Sequence, residues 1–100
     1  MEKGYAVYVL IEDFEIVYIG ISSNFHDRKK QHKAIGKIKF DCAQVLIHGL
    51  DKETAEIIES TIIYFSVLNL GLNLKNKNHN PMFNVWNSRK ISLNREVENV

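Results

Sequence analysis

Two stretches near the start of the chain, Tyr5 to Ile11 and Glu15 to Ile21, are dense in Val, Ile and Tyr. These residue types suit a pleated, half-buried surface, and both stretches read as strands. Only Glu12-Asp13-Phe14 lie between them, so a hairpin is predicted. Pairing Tyr8 with Tyr18 gives a self-consistent register. Val7 then faces Ile19 and Val9 faces Val17 on one side. On the other side Ala6 faces Gly20, Tyr8 faces Tyr18 and Leu10 faces Ile16. The loop contains no glycine, which leaves its turn type open.

Asn24, with Asp27 three residues on, resembles a capping box and starts a helix. That helix runs to about Ile35, with Gly36 as its stop. Cys42 to His48 forms a third strand-like run. Asp51 caps a longer helix to about Leu68, ended near Gly71. Its apolar stripe is Ala55, Ile58, Ile62 and Phe65, at helical spacing. The segment 69–80, rich in asparagine, reads as a surface loop. Beyond Pro81 come Phe83, Val85 and Trp86, then a polar end, 87–100, that is either a short helix or a tail. The order strand, strand, helix, strand, helix, tail predicts an α+β fold. A single domain over 1–86 accounts for the pattern, with no internal repeat.

Composition narrows the class. One hundred residues suit one domain, and 45% hydrophobic with 25% charged positions is ordinary for a globular chain. No apolar run approaches the ~20 residues of a membrane helix, and Met1-Glu2-Lys3-Gly4 lacks the basic start of a secretory signal. These features predict no membrane association. Cys42 is the only cysteine, which excludes an internal disulfide and points to a reducing, cytoplasmic setting. A buried position suits it, since free cysteine packs as a small hydrophobe.

The net charge of +1 hides an uneven distribution. Residues 26–41 carry Arg28, Lys29, Lys30, Lys33, Lys37 and Lys39 against only Asp27 and Asp41. A second basic segment covers 69–100, and the stretches before and between the two are acidic. That pattern suits a local patch for a polyanion, or a solvated helix face.

On the first helix Phe25, Arg28, His32 and Ile35 share one face. Phe25 and Ile35 seek the core, so Arg28 and His32 are aimed at the sheet between them. An arginine in an apolar stripe needs an anion, supplied by a ligand or by an acid such as Glu59. Tyr8 and Tyr18 share a sheet face beside Ala6 and Gly20, which together would leave a notch rimmed by hydroxyls. Glu59 falls one turn after Ala55 and one turn before Ile63, at the margin of the buried face. It suits a Mg²⁺ ligand, or a salt bridge to Lys52 or Arg28.

Ala6-Val7-Tyr8, then Tyr18-Ile19-Gly20, then Arg28, His32 and a helical Glu59 resemble the GIY-YIG nuclease domain. Pro81-Met82-Phe83-Asn84 is similar to the short element that closes that domain, so the resemblance spans about residues 4–86. It implies a small three-stranded, mostly antiparallel sheet flanked by helices. It also implies an endonuclease that hydrolyses phosphodiester bonds using one Mg²⁺ or Mn²⁺ ion. Carried over by position, Tyr8 would orient or deprotonate the attacking water, assisted by Tyr18. Arg28 would bind the scissile phosphate and Glu59 would hold the metal. His32 would contact phosphate or handle a proton, with Gly20 and Asn84 in support.

Two departures from the family pattern stand out. Ala6 replaces the first glycine, and the Asn-rich loop before Pro81 is long. Lys75, Lys77 and His79 in that loop could reach a nucleic-acid backbone. DNA is the expected partner, with RNA left open. The residues after the core are too few for a DNA-reading module. Trp86, Arg89 and Lys90 could stack on bases and touch phosphates, although Trp86 also suits a core position. Site choice would rest on nucleic-acid shape, a partner protein or a homodimer. A non-cleaving nucleic-acid-binding or adaptor protein with the same fold is the alternative.

Overall fold

The structure is a computed structural model and describes residues 4–76. Strands β1 (Tyr5–Glu12) and β2 (Glu15–Ser22) are followed by helix α1 (Phe25–Ile35), strand β3 (Cys42–Leu50) and helix α2 (Lys52–Leu68). The sheet has the order β2-β1-β3 and is antiparallel throughout. The predicted α+β architecture is thus present, with β3 two residues longer than expected. The expected C-terminal helix or tail lies outside the described residues, as do Pro81, Phe83, Asn84 and Trp86.

The hairpin register differs from the expected one. Tyr8 pairs with Gly20, Leu10 with Tyr18 and Val9 with Ile19. Glu12 pairs with Glu15, leaving a turn of Asp13 and Phe14, whose φ angles are 52° and 67°. Both central residues are left-handed, as a type I′ hairpin turn requires. Neither is glycine, so the turn is held from outside. The Asp13 backbone N–H donates to Asp41 Oδ2 at 3.1 Å.

That tight turn would by itself pair Tyr8 with Ile19 and send Tyr18 to the opposite face. The register shifts between Leu10 and Ile11, leaving one extra residue, Val17, in β2. This bulge returns Tyr18 to the face of Tyr8. Both tyrosines therefore share a face, as the strand period predicts, through a pairing two residues removed from the expected one.

The other face of the sheet carries the core. Val7, Val9 and Ile19 pack with Ala55, Ile63 and Val67 of α2 and with Leu74. The buried stripe of α2 holds Ala55, Ile63, Ser66 and Val67. Of the predicted stripe, Ala55 is buried and Ile58 and Ile62 pack against the core, but Phe65 is 52% exposed. Ser66 and Val67 take the buried positions there, and Phe65 is turned outward. α2 ends at Asn69, whose N–H bonds the Phe65 carbonyl, before Gly71 is reached.

α1 begins and ends as its sequence specifies. Asn24 accepts from the Asp27 N–H and donates its amide to the Asp27 carboxylate. Gly36 caps the other end at φ 70°, with its N–H on the His32 carbonyl. Ile35 does not reach the core, being 65% exposed. α1 lies against β2 and turns His32 of its last turn to the sheet, leaving Ile35 on the side facing solvent. Cys42, expected buried, is exposed at the start of β3, because the helices pack mainly on β1 and β2 and leave the faces of β3 open.

Candidate active site

Tyr8 stands on the central strand, on the face away from α2, and is fully buried. Its ring lies across Gly20, the residue paired with it on β2. The predicted notch is therefore filled, since a side chain at Gly20 would run into the phenol ring of Tyr8. Ala6, the family departure, pairs one step away with Ser22. Tyr18 lies next to Tyr8, with ring centroids 6.2 Å apart, and is half-buried.

α1 closes the cluster from above. Phe25 packs on Tyr8 with ring centroids 5.6 Å apart. Two turns along, His32 places Nε2 2.8 Å from the Tyr8 hydroxyl. The His32 ring also meets Tyr18 edge to face at 5.1 Å. Arg28 lies between these residues on the helix and is exposed overall, while its guanidinium turns to the sheet as expected and hydrogen-bonds to Tyr8. Its charge acts on Tyr8, Tyr18 and His32 alike.

Electrostatics links all five side chains. Burial raises the Tyr8 hydroxyl far above its ordinary pKa of about 10. The neighbouring Tyr18 and the charge of Glu59 add to this, while Arg28 opposes it. Tyr18 is raised by burial and by Glu59, with Arg28 and a hydrogen bond to Tyr8 acting the other way. His32 is lowered by burial and then by Arg28. At neutral pH the cluster thus holds two protonated phenols and an uncharged imidazole able to accept a proton.

Glu59 is half-buried, one turn from each of two fully buried residues, Ala55 and Ile63. It therefore lies at the margin of the buried stripe of α2, as expected. Among the described residues no group of three or more His, Cys, Asp or Glu converges, so no all-protein metal cage is formed there. A single half-buried carboxylate still fits Mg²⁺, which keeps waters and takes one or two carboxylates with substrate phosphates.

Of the basic residues singled out, Lys30, Lys33, Lys37 and Lys39 are exposed and Lys29 is half-buried. They surround the end of α1 and the following loop. Asn84, Lys77 and His79 lie outside the described residues. No described helix is long and apolar enough to cross a membrane.

The structure adds a residue that the pattern did not single out. Asn76 is buried, its Oδ1 accepts from the Ile19 N–H at 3.0 Å, and its Nδ2 donates to the Ile19 carbonyl. The adjacent Lys75 N–H donates to the Val17 carbonyl at 2.7 Å. The start of the Asn-rich segment thus seals the outer edge of β2 beside Tyr18, where a free surface loop was expected. The alternation of Leu72 and Leu74 with polar residues was the available signal, and asparagine content masked it. No protein-family model, curated protein or solved structure matches this chain.

Proposed function

We propose that this chain is a metal-dependent endonuclease of the GIY-YIG type, acting on phosphodiester bonds in DNA. The observation that carries the reading is the 2.8 Å hydrogen bond between Tyr8 and His32. It joins two residues chosen from the sequence for the same chemistry, with Tyr18, Arg28 and Glu59 acting on them electrostatically.

The geometry favours a relay over a free phenolate. Tyr8 has no exposed surface and ionises reluctantly. Tyr18, half-buried, is the phenol nearer to solvent. As water attacks phosphorus, its proton passes to Tyr18, the Tyr18 proton to Tyr8, and the Tyr8 proton to His32 Nε2. Neither phenol then carries a full charge, and the imidazole ends protonated. The bond from phosphorus to the leaving oxygen breaks as the new one forms. Arg28, exposed beside the phenols, offsets charge on the phosphate oxygens. Glu59 is the residue that would hold a divalent ion, Mg²⁺ or Mn²⁺, which when bound stabilises the leaving oxygen.

Supercoiled plasmid, single strands and branched DNA, each with Mg²⁺, Mn²⁺ or EDTA, test the reading. Metal-dependent cutting that Tyr8→Phe and His32→Gln each reduce by about 10²–10⁴-fold supports it. A wild type that cuts none of these substrates with either metal overturns it.

A further inference from the structure

Beside His32, the end of α1 and the loop after it border an open recess of about 280 Å³. His32, Lys33, Gly36, Ile38, Lys39 and Phe40 line it. Building on the nuclease site above, we propose that this recess receives one unstacked nucleobase. The preferred substrate is therefore single-stranded next to the phosphate that is cut.

The chemistry of the lining selects such a ligand. Ile38 and Phe40 give it an apolar and aromatic wall, and both are half-buried. Lys33 and Lys39 are exposed at its rim, and no acid lines it. An aromatic wall under two cations fits a planar ring carried on an anionic backbone. Phosphate alone would use the lysines and leave Ile38 and Phe40 without a role. The volume lies just under the roughly 300–1,000 Å³ of typical small-ligand pockets, so it suits one base and not a pair. Bases within a duplex keep their faces stacked and cannot enter.

The recess is formed in advance. Its near end is fixed by the Gly36 N–H on the His32 carbonyl at 3.0 Å. Its far end is fixed by the Asp41 N–H on the Ile11 carbonyl at 2.9 Å and by the Asp41 side chain on Asp13. Phe40 stands edge to face with His32, with centroids 6.4 Å apart. A ligand therefore need not order the loop, which limits the entropic cost of binding. His32 is shared between the recess and the phenol cluster, so a base held here belongs to a nucleotide adjoining the reacting phosphate.

The test measures binding by the full chain in EDTA. Short single strands carrying 2-aminopurine at successive positions are compared with a hairpin duplex. Wild type should prefer the single strand and change the probe's fluorescence at one position. Phe40→Leu keeps bulk and removes the ring; it should weaken single-strand binding by about 5–100-fold and abolish the fluorescence change. Lys39→Gln should lower the salt slope for single strands by about 0.7. Equal single-strand affinity for Phe40→Leu and wild type, or no position-specific fluorescence change in wild type, overturns the proposal. If Phe40→Leu unfolds, the wild-type scan and Lys39→Gln still decide. Because no metal is present, failure to cleave and failure to hold a base are read separately.

Discussion

A methyl carbon built on Gly20 would lie 2.6 Å from the Tyr8 hydroxyl oxygen and 2.8 Å from a ring carbon of Tyr18. The two tyrosines pack over this glycine from the facing strand and from its own. Tyr8 covers the backbone that glycine leaves bare, as an aromatic ring across a strand pair can. The same contact sets how far the Tyr8 hydroxyl extends toward His32.

Gly20→Ala should therefore act through Tyr8. The backbone at Gly20 can accommodate alanine, but the phenol must move. Overpacking of this kind costs about 1–3 kcal/mol, readable as a lower urea midpoint. The His32 resonances should shift as its bond to Tyr8 is displaced. An alanine variant with wild-type stability and unchanged His32 signals would show that the ring has room to spare.

Asn76 gives a second test, remote from α1. Its amide occupies both backbone groups of Ile19, so Asn76→Ala leaves a buried donor and acceptor without their partner. Each such orphaned group costs about 1–3 kcal/mol. Amide exchange at Ile19 should quicken more than at Val9, on the central strand. Uniform protection in the variant would show that the segment after α2 adds nothing to the sheet edge.

His32 supplies a pH dependence with a definite sign. Its pKa is lowered in the fold, so the unfolded chain binds this proton more readily than the folded one. Stability from this group is complete above about pH 6.5, the ordinary histidine value, and is lost as pH falls through the lowered folded value. Wild type should therefore lose more stability than His32→Gln between neutral and mildly acidic pH. On the nuclease reading the acid limb of kcat/KM should also fall below pH 6.5. A limb above that value would assign it to another group.

Glu59→Gln separates electrostatics from packing, because the side chain keeps its shape. The carboxylate raises both phenols, so the variant should titrate Tyr18 at lower pH, seen by ultraviolet absorbance. If Glu59 holds the metal, cutting should nearly vanish while DNA binding in EDTA persists or tightens. An unchanged tyrosine titration would place the carboxylate out of reach of the site.

Local chemistry determined the elements. Asn24 and Asp51 accept from the N–H groups three residues on, and Gly36 takes the left-handed conformation that ends α1. These depend only on neighbours in the chain. Helical spacing likewise aimed His32 toward the sheet, whereas Tyr18 reaches the face of Tyr8 only through the bulge at Val17. What the sequence left undecided is what distant packing settles. A register slip by two keeps every residue on its own face, so the hydrophobic pattern is equally satisfied by Tyr8 against Tyr18 or against Gly20. The Asp13-Phe14 turn and the Val17 bulge chose the second. Nor does periodicity report how a helix is rolled on a sheet, so Phe65 turned outward once Ser66 and Val67 made the closer contact. Asn76 reaches Ile19 across 57 positions of sequence. Only a folded sheet edge with an open N–H and carbonyl gives that side chain its partner.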